Sequence, residues 1–339
     1  MGRTRRYLLT TFSKSFLLVF LPFLLIVSLV FLIQLSILSS KIHLNTAELL
    51  HLFGLFLPEI LFYTIPFSLM AALANTFGRL SEENEMIALF ALGHRPARLF
   101  RFLLPLLILF SAILLVLSLM LYPQMKQKIV AFKNRKIAEA TLKISPNKLS
   151  QSFGDYHVFV AAKDKRGYKD IVLFDNHNPK HQEIFIADRA EAENAHGRIS
   201  LTLHNGIGET SDSKKIQTLH YKSLSIYRYP RTSEAQMQSF REYWSKASTD
   251  KRQRGKMLYF LLVSLSPLLS FPLIGAFSIF NPRYQKNRSV AVIFAAATAI
   301  YIPAAFLQKS GSLPLFFLVL LSLSAAGVWL LYRRVLRIY

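Results

Sequence analysis

This 339-residue sequence predicts an α-helical membrane protein with six transmembrane helices and an inserted all-β domain. Three observations carry the prediction. Apolar runs long enough to cross a bilayer lie three before residue 125 and three after residue 256. The residues between them read as short strands and turns. Composition agrees, because 52% hydrophobic content with 28 Phe and a mean hydropathy of +0.32 is too apolar for an ordinary soluble enzyme.

The formal charge of +22 invites a nucleic-acid reading. Its distribution argues against one, since many of the basic residues flank the apolar runs, where membrane topology puts them. With no Cys, the chain has no thiol chemistry, disulfide, iron–sulfur centre or cysteine-based zinc site.

The first span covers 16–38, behind a basic start of Arg3, Arg5, Arg6 and Lys14. Its 23 residues reach about 34 Å at 1.5 Å each, enough for a bilayer, and the run is longer than a signal-peptide core. An uncleaved helix is expected. The second span, 52–77, contains Pro58 and Pro66; neighbouring membrane helices re-satisfy the freed carbonyls, so one bent helix is predicted. The third runs over 99–122 and ends at Pro123. Spans at 257–280, 290–307 and 313–332 follow the insert, the last two joined by the short 308–312 link as a tight hairpin. The domains are therefore 1–123, 124–255 and 256–339.

Orientation follows from charge in the short connections. Arg79, Arg95 and Arg98 lie between the second and third spans, with Arg101 at the start of the third. Arg283, Lys286 and Arg288 lie between the fourth and fifth, and Arg333, Arg334 and Arg337 follow the sixth. With six spans these fall on the same side as the basic N-terminus, and the positive-inside bias makes that side the cytoplasm. Both termini are then cytoplasmic, and the insert faces outward.

The insert opens with a polar helical stretch, 124–142, closed by Pro146. Strands are expected at 156–162, 169–175, 182–191, 197–206 and 217–229. Period-two alternation is clearest where Ile199, Leu201 and Leu203 interleave with Ser200, Thr202 and His204. Lys-Arg-Gly, Asn-His-Asn-Pro, Ala-His-Gly and Asn205-Gly206 supply turns, and the spacing suggests a compact all-β sandwich.

The sharpest local signal is GRLSEENEMIALFALG at 78–93. Ser81 followed by Glu82, Glu83 and Asn84 resembles a helix start, with acids near the positive end of the dipole. Glu85 continues the acidic run. Met86, Ile87, Phe90 and Ala91 form an apolar side at helical spacing, and Gly93 is a natural stop. A helix near 81–92 is too short to cross a bilayer, so it lies at the cytoplasmic surface. It either tucks against its own bundle or docks a cytoplasmic partner whose groove accepts an acidic start and an apolar face.

Lys41, with His43 nearby, follows the first span: an interfacial snorkelling lysine, or a cation at the mouth of a cavity meeting an anionic substrate. Lys251, Arg252, Arg254 and Lys256 cluster on the outward side, opposite to where topology places basic residues. They are a solvated flank or a site for phosphate-bearing lipid headgroups. Glu59 interrupts an apolar run near its outer end, as a coupling carboxylate or a hydrated interface residue. None of the nine His falls in a spaced metal set, and no nucleophile–base arrangement stands out. The chain reads as a non-enzyme with no cofactor of its own. Without a GxxxxGK[ST] loop, any ATP hydrolysis belongs to another subunit.

The layout as a whole resembles the LptF/LptG (YjgP/YjgQ) permease family of the lipopolysaccharide exporter. Beside the layout stand FGRLSEENEMIALFALG at 77–93, the Tyr122-Pro123 exit from the third span, and the strands IFIADRAE and ISLTLHNG. The resemblance implies a bacterial inner-membrane subunit whose insert is a jellyroll-like periplasmic domain. It also implies a paired LptF- or LptG-type permease and a dimer of the ATPase LptB, which uses ATP and Mg. LptB grips a coupling helix here represented by Glu82, Glu83, Glu85, Met86, Ile87 and Phe90. The substrate is lipopolysaccharide, passed on to LptC and LptA; no nucleic acid is involved. Lys41 lies where family members meet lipid A phosphates. Two other classes stay open on the residues alone: a membrane-anchored ligand-binding or sensing protein, and an envelope-assembly protein without transport.

Overall fold

The computed structural model describes residues 2–42, 44–93, 95–142, 146, 151–153, 156–164, 167–178, 181–195, 198–212, 215–228 and 239–337. They fall into two compact units. One comprises Met1–Ile37, Thr46–Lys126 and Met237–Tyr339; the other comprises Leu38–Asn45 and Gln127–Gln236.

The first unit is helical. α1 spans Gly2–Ile42, α2 Thr46–Glu82, the short α3 Glu85–Ala91 and α4 Pro96–Leu115. A π-helical segment, Val116–Leu121, joins α4 to α5, Tyr122–Leu142. After the β-domain come α6 (Phe240–Ser245), α7 (Lys251–Ser264), α8 (Ser266–Ser278), α9 (Ser289–Ser310) and α10 (Leu313–Leu331). Among the described residues five helices are long and apolar enough to cross a membrane, and the number is six when α7 and α8, bent by 45°, are counted as one span. The helical bundle with an inserted β-domain is therefore as the sequence predicts.

The prolines explain two departures from the expected spans. Pro123 ends no helix; the chain runs on into α5. Its missing N–H leaves the Leu119 carbonyl without its i+4 donor, and the π segment opens the helix at that point. The indole Nε1–H of Trp244, in α6, donates to that carbonyl at 2.8 Å. Ser118 of the same segment shares a buried 3.1 Å hydrogen bond with Ser264, beside the α7–α8 break. That break lies at Leu265, two residues before Pro267, whose ring would clash with the Val263 carbonyl in a straight helix. By contrast, α2 stays helical through Pro58 and Pro66.

Small residues line α2 where it is most buried: Ser68, Ala71, Ala72, Ala74 and Thr76 are at most 3% exposed. They let α8 and α9 approach closely, the usual device of membrane helix packing. Phe rings carry the contacts of α1: Phe23 meets Phe67, Phe31 meets Phe56, and Phe16 meets Phe110, with centroids 5.2–5.4 Å apart. Although Leu8, Phe12 and Leu35 are buried, α1 also exposes Leu18, Leu25, Leu29 and Ile33, as a helix bathed in lipid or a second subunit would.

The second unit holds the end of α1, most of α5 and one antiparallel sheet of six strands in sequential order: β1 Gln151–Phe153, β2 Tyr156–Asp164, β3 Gly167–Asn178, β4 His181–Ala195, β5 Arg198–Asp212 and β6 Lys215–Arg228. β3, β4 and β5 run several residues beyond the strands the alternation suggests, and β2 to β6 all cross a crease. Pairing lapses at one level on four successive ladders, along the line Ala161, Asp170, Asp188, Asn205 and Lys222. Asp170 and Asn205 on that line are left-handed, with φ of 50° and 51°. Crossing it, the inward positions jump three residues instead of two: buried Ile171 to Tyr168 on β3, buried Ala187 to Ala190 on β4, and half-buried Gly206 to buried Leu203 on β5. Val158, Val160, Ile171 and Leu173 on one side thus share a core with Tyr168, Ala190, Leu201 and Leu203 on the other. Lys169, Asp170, Asp188, Arg189 and Asn205 are exposed on the outer ridge. Where the strand spacing suggests a sandwich, the described strands form one creased sheet. Asn205-Gly206, expected as a turn between strands, lies in mid-strand on the crease. Tyr221, whose phenol is held above its ordinary pKa by burial, donates from its hydroxyl to the Ile186 carbonyl at 3.2 Å beside it.

Candidate functional site

The candidate site is built at the arginine-rich end of the bundle, where α2, α3 and the α8–α9 connection meet. Ser81 is fully buried in the last turn of α2, not at the start of the short helix. Its hydroxyl donates to the Ser278 carbonyl and accepts the Phe280 N–H, both at 3.3 Å. It thereby satisfies backbone groups left over where α8 ends in extended backbone at Ile279. One residue on, Glu82 accepts from Asn287 Nδ2 at 3.1 Å. Asn287 Oδ1 also accepts the Ser289 N–H at 2.9 Å, and the Ser289 hydroxyl bonds the Ala74 carbonyl at 3.2 Å. Gly78 permits that contact, because a Cβ there would collide with Ser289 Oγ.

Glu83 and Asn84 make the turn into α3, with Asn84 left-handed at φ 59°. Arg79 holds Glu83 at 2.8 Å across one helical turn. Glu85 accepts a 2.6 Å hydrogen bond from the Tyr7 hydroxyl of α1. Met86 is 1% exposed, and Leu89 and Phe90 pack part-buried against the same core. α3 thus spends Met86 and much of Phe90 on its own bundle. Glu82, Glu83 and Ala88 are exposed, Ile87 is half-buried, and Leu92 is 78% exposed. Gly93, at φ +81°, ends the helix as expected, its N–H bonding the Phe90 carbonyl at 3.0 Å.

The outward basic cluster divides in two. Lys251, Arg252 and Lys256 are exposed. Arg254 is half-buried, with Nε on the Gly311 carbonyl at 2.7 Å and a terminal nitrogen on the Ser248 carbonyl at 3.3 Å. It pins the α9–α10 turn to the start of α7, where Asp250 caps the Arg252 N–H at 2.8 Å. Lys41 sits in the last turn of α1 with its side chain outside the described part, and His43 lies outside the described residues. Glu59 is half-buried in α2.

The profile of one family, described as the lipopolysaccharide export system permease LptF/LptG, matches residues 6–333. The chain belongs to the LptF/LptG permease family. Comparison with curated proteins gave no match. An LptF/LptG permease is a lipopolysaccharide-exporting subunit of a larger transport complex. It is a non-catalytic, multi-pass inner-membrane protein whose β-domain is periplasmic. Family membership selects export over the sensing and assembly readings. Among the described residues no group of three or more His, Asp or Glu could hold a metal ion.

Tyr7, Asn287, Ser289 and Trp244 went unnoticed in the sequence. A signal existed for Trp244 alone: Pro123 announces an unbonded carbonyl at Leu119, although not which donor fills it. The others reach across 78 to 215 residues of sequence to Glu85, Glu82 and Ala74; the local Asn287–Ser289 contact marks a helix start but not those distant partners.

Proposed function

We propose that α3 and its acidic root are the docking point for an LptB-type ATPase dimer, which binds ATP and Mg and drives lipopolysaccharide out of the membrane. The observation that carries the reading is a short helix, held by Tyr7 of α1 and rooted in a turn of α2 that the α8–α9 connection bonds, where carboxylates and apolar side chains are still presented to solvent. Glu82, Glu83 and Glu85 meet basic groups lining a groove of the ATPase, and Ile87 enters with Leu92. Met86 and Phe90 act from behind by anchoring the helix, so a push on α3 reaches the bundle core rather than being lost in a loose loop.

In this reading both termini are cytoplasmic, a paired LptF- or LptG-type permease packs against the exposed side of α1, and the β-domain hands lipopolysaccharide to LptC and LptA. Lys41, Lys251, Arg252 and Lys256 meet lipid phosphates at the outward ends of the helices; Arg254 is a structural tie. The test is equilibrium binding of the purified ATPase subunit to the reconstituted permease pair. Combined Glu83→Lys and Glu85→Lys substitutions should weaken it at least tenfold, in line with reversal of close interfacial charges. Unchanged binding by a correctly inserted variant would remove the docking assignment.

A further inference from the structure

We propose that the α8–α9 connection, residues 281–288, is a second docking arm for the same cytoplasmic ATPase. The inference rests on the coupling reading of α3 and extends the contact beyond that helix.

The sequence of the arm, NPRYQKNR, carries Arg283, Lys286 and Arg288 and no acid. All three are exposed, and Tyr284 is 83% exposed, more than any other large aromatic or aliphatic side chain among the described residues. The positive-inside bias accounts for the basic residues. It does not account for a tyrosine raised into solvent on a built turn. Asn281 Oδ1 accepts the Arg283 N–H at 3.0 Å, and the Asn281 carbonyl accepts from Tyr284 N at 3.1 Å and Gln285 N at 3.0 Å. The ring is therefore presented on a preorganised turn, which lowers the ordering cost of binding.

The arm is also registered against the last turn of α2, which leads into α3. Asn287 bonds Glu82 at one end of it, and Ser81 bonds Ser278 and Phe280 at the other. Acidic root and basic arm are joined by these bonds and set opposite charges side by side. A partner engaging both needs a basic groove with an acidic patch beside it. Tyr and Arg are the residues that most often dominate interfaces, which makes Tyr284 and Arg283 the expected anchors.

The experiment is a binding titration of the purified ATPase subunit on the permease pair in nanodiscs. It compares wild type, Tyr284→Ala, the double variant Arg283→Glu/Lys286→Glu, and Glu83→Lys/Glu85→Lys. Melting temperature serves as a folding control. The arm variants should each bind about tenfold more weakly, and the arm's contribution should shrink as salt rises. Wild-type binding by the arm variants, with the Glu83/Glu85 variant weakened, overturns the arm and leaves α3 standing. Wild-type binding by all variants overturns both. A Tyr284→Ala variant that binds normally but melts lower in bilayers marks Tyr284 as a membrane anchor and also overturns the arm.

Discussion

Pro123 withholds one N–H, and Trp244 supplies another at 2.8 Å. That exchange ties the chain leaving the membrane for the β-domain to the chain returning from it. Trp244→Phe keeps the ring's contact with Phe260 but strands the Leu119 carbonyl. The expected loss is about 1–3 kcal/mol, read as a lower melting temperature of the detergent-solubilised protein; an unchanged melting temperature would contradict the tie. Gly78 sets a similar test. Gly78→Ala drives a methyl group into Ser289 Oγ and should destabilise, whereas the same change on a Ser289→Ala background should destabilise less. A double-mutant cycle of melting temperatures measures the difference. Equal costs on both backgrounds would show that the two residues do not meet.

At the scale of elements, apolar length alone reveals the spans, because a bilayer demands it. Alternation likewise reveals the strands, most clearly at Ile199, Leu201 and Leu203. The crease stayed hidden for a physical reason: a three-residue step breaks period two, so Asn205-Gly206 looks like the end of one strand. The α7–α8 break was legible in principle at Pro267, yet membrane helices often carry proline straight through, as α2 does twice. The start of α3 was misplaced because Ser81 suits an N-cap by composition. It performs a related task for a distant helix end, with partners 197 and 199 residues away. The crease predicts that Asn205→Val destabilises the β-domain by about 1–2 kcal/mol, since a β-branched residue resists positive φ, while Asn205→Gly is tolerated. Limited proteolysis of the full-length protein should release fragments of the β-domain earlier from the Val variant alone. Equal protection of both variants would argue that Asn205 is not held left-handed.

Across the whole molecule, charge asymmetry carries the functional account. Acids gather at the root of α3, basic residues line the same end of the bundle, and Lys251, Arg252 and Lys256 stand exposed at the head of α7. Replacing those three by Glu should lower lipopolysaccharide release per ATP hydrolysed in proteoliposomes while leaving ATPase binding intact; unchanged release would make them a solvated flank. The central claim is that this permease is driven through Glu82, Glu83 and Glu85. The most direct measurement is to deplete the protein in its native host, complement with the triple Glu→Lys variant at wild-type abundance, and locate newly made lipopolysaccharide. Retention in the inner membrane, with the variant inserted, is the predicted result. Normal delivery to the outer membrane, with no second permease compensating, would contradict it.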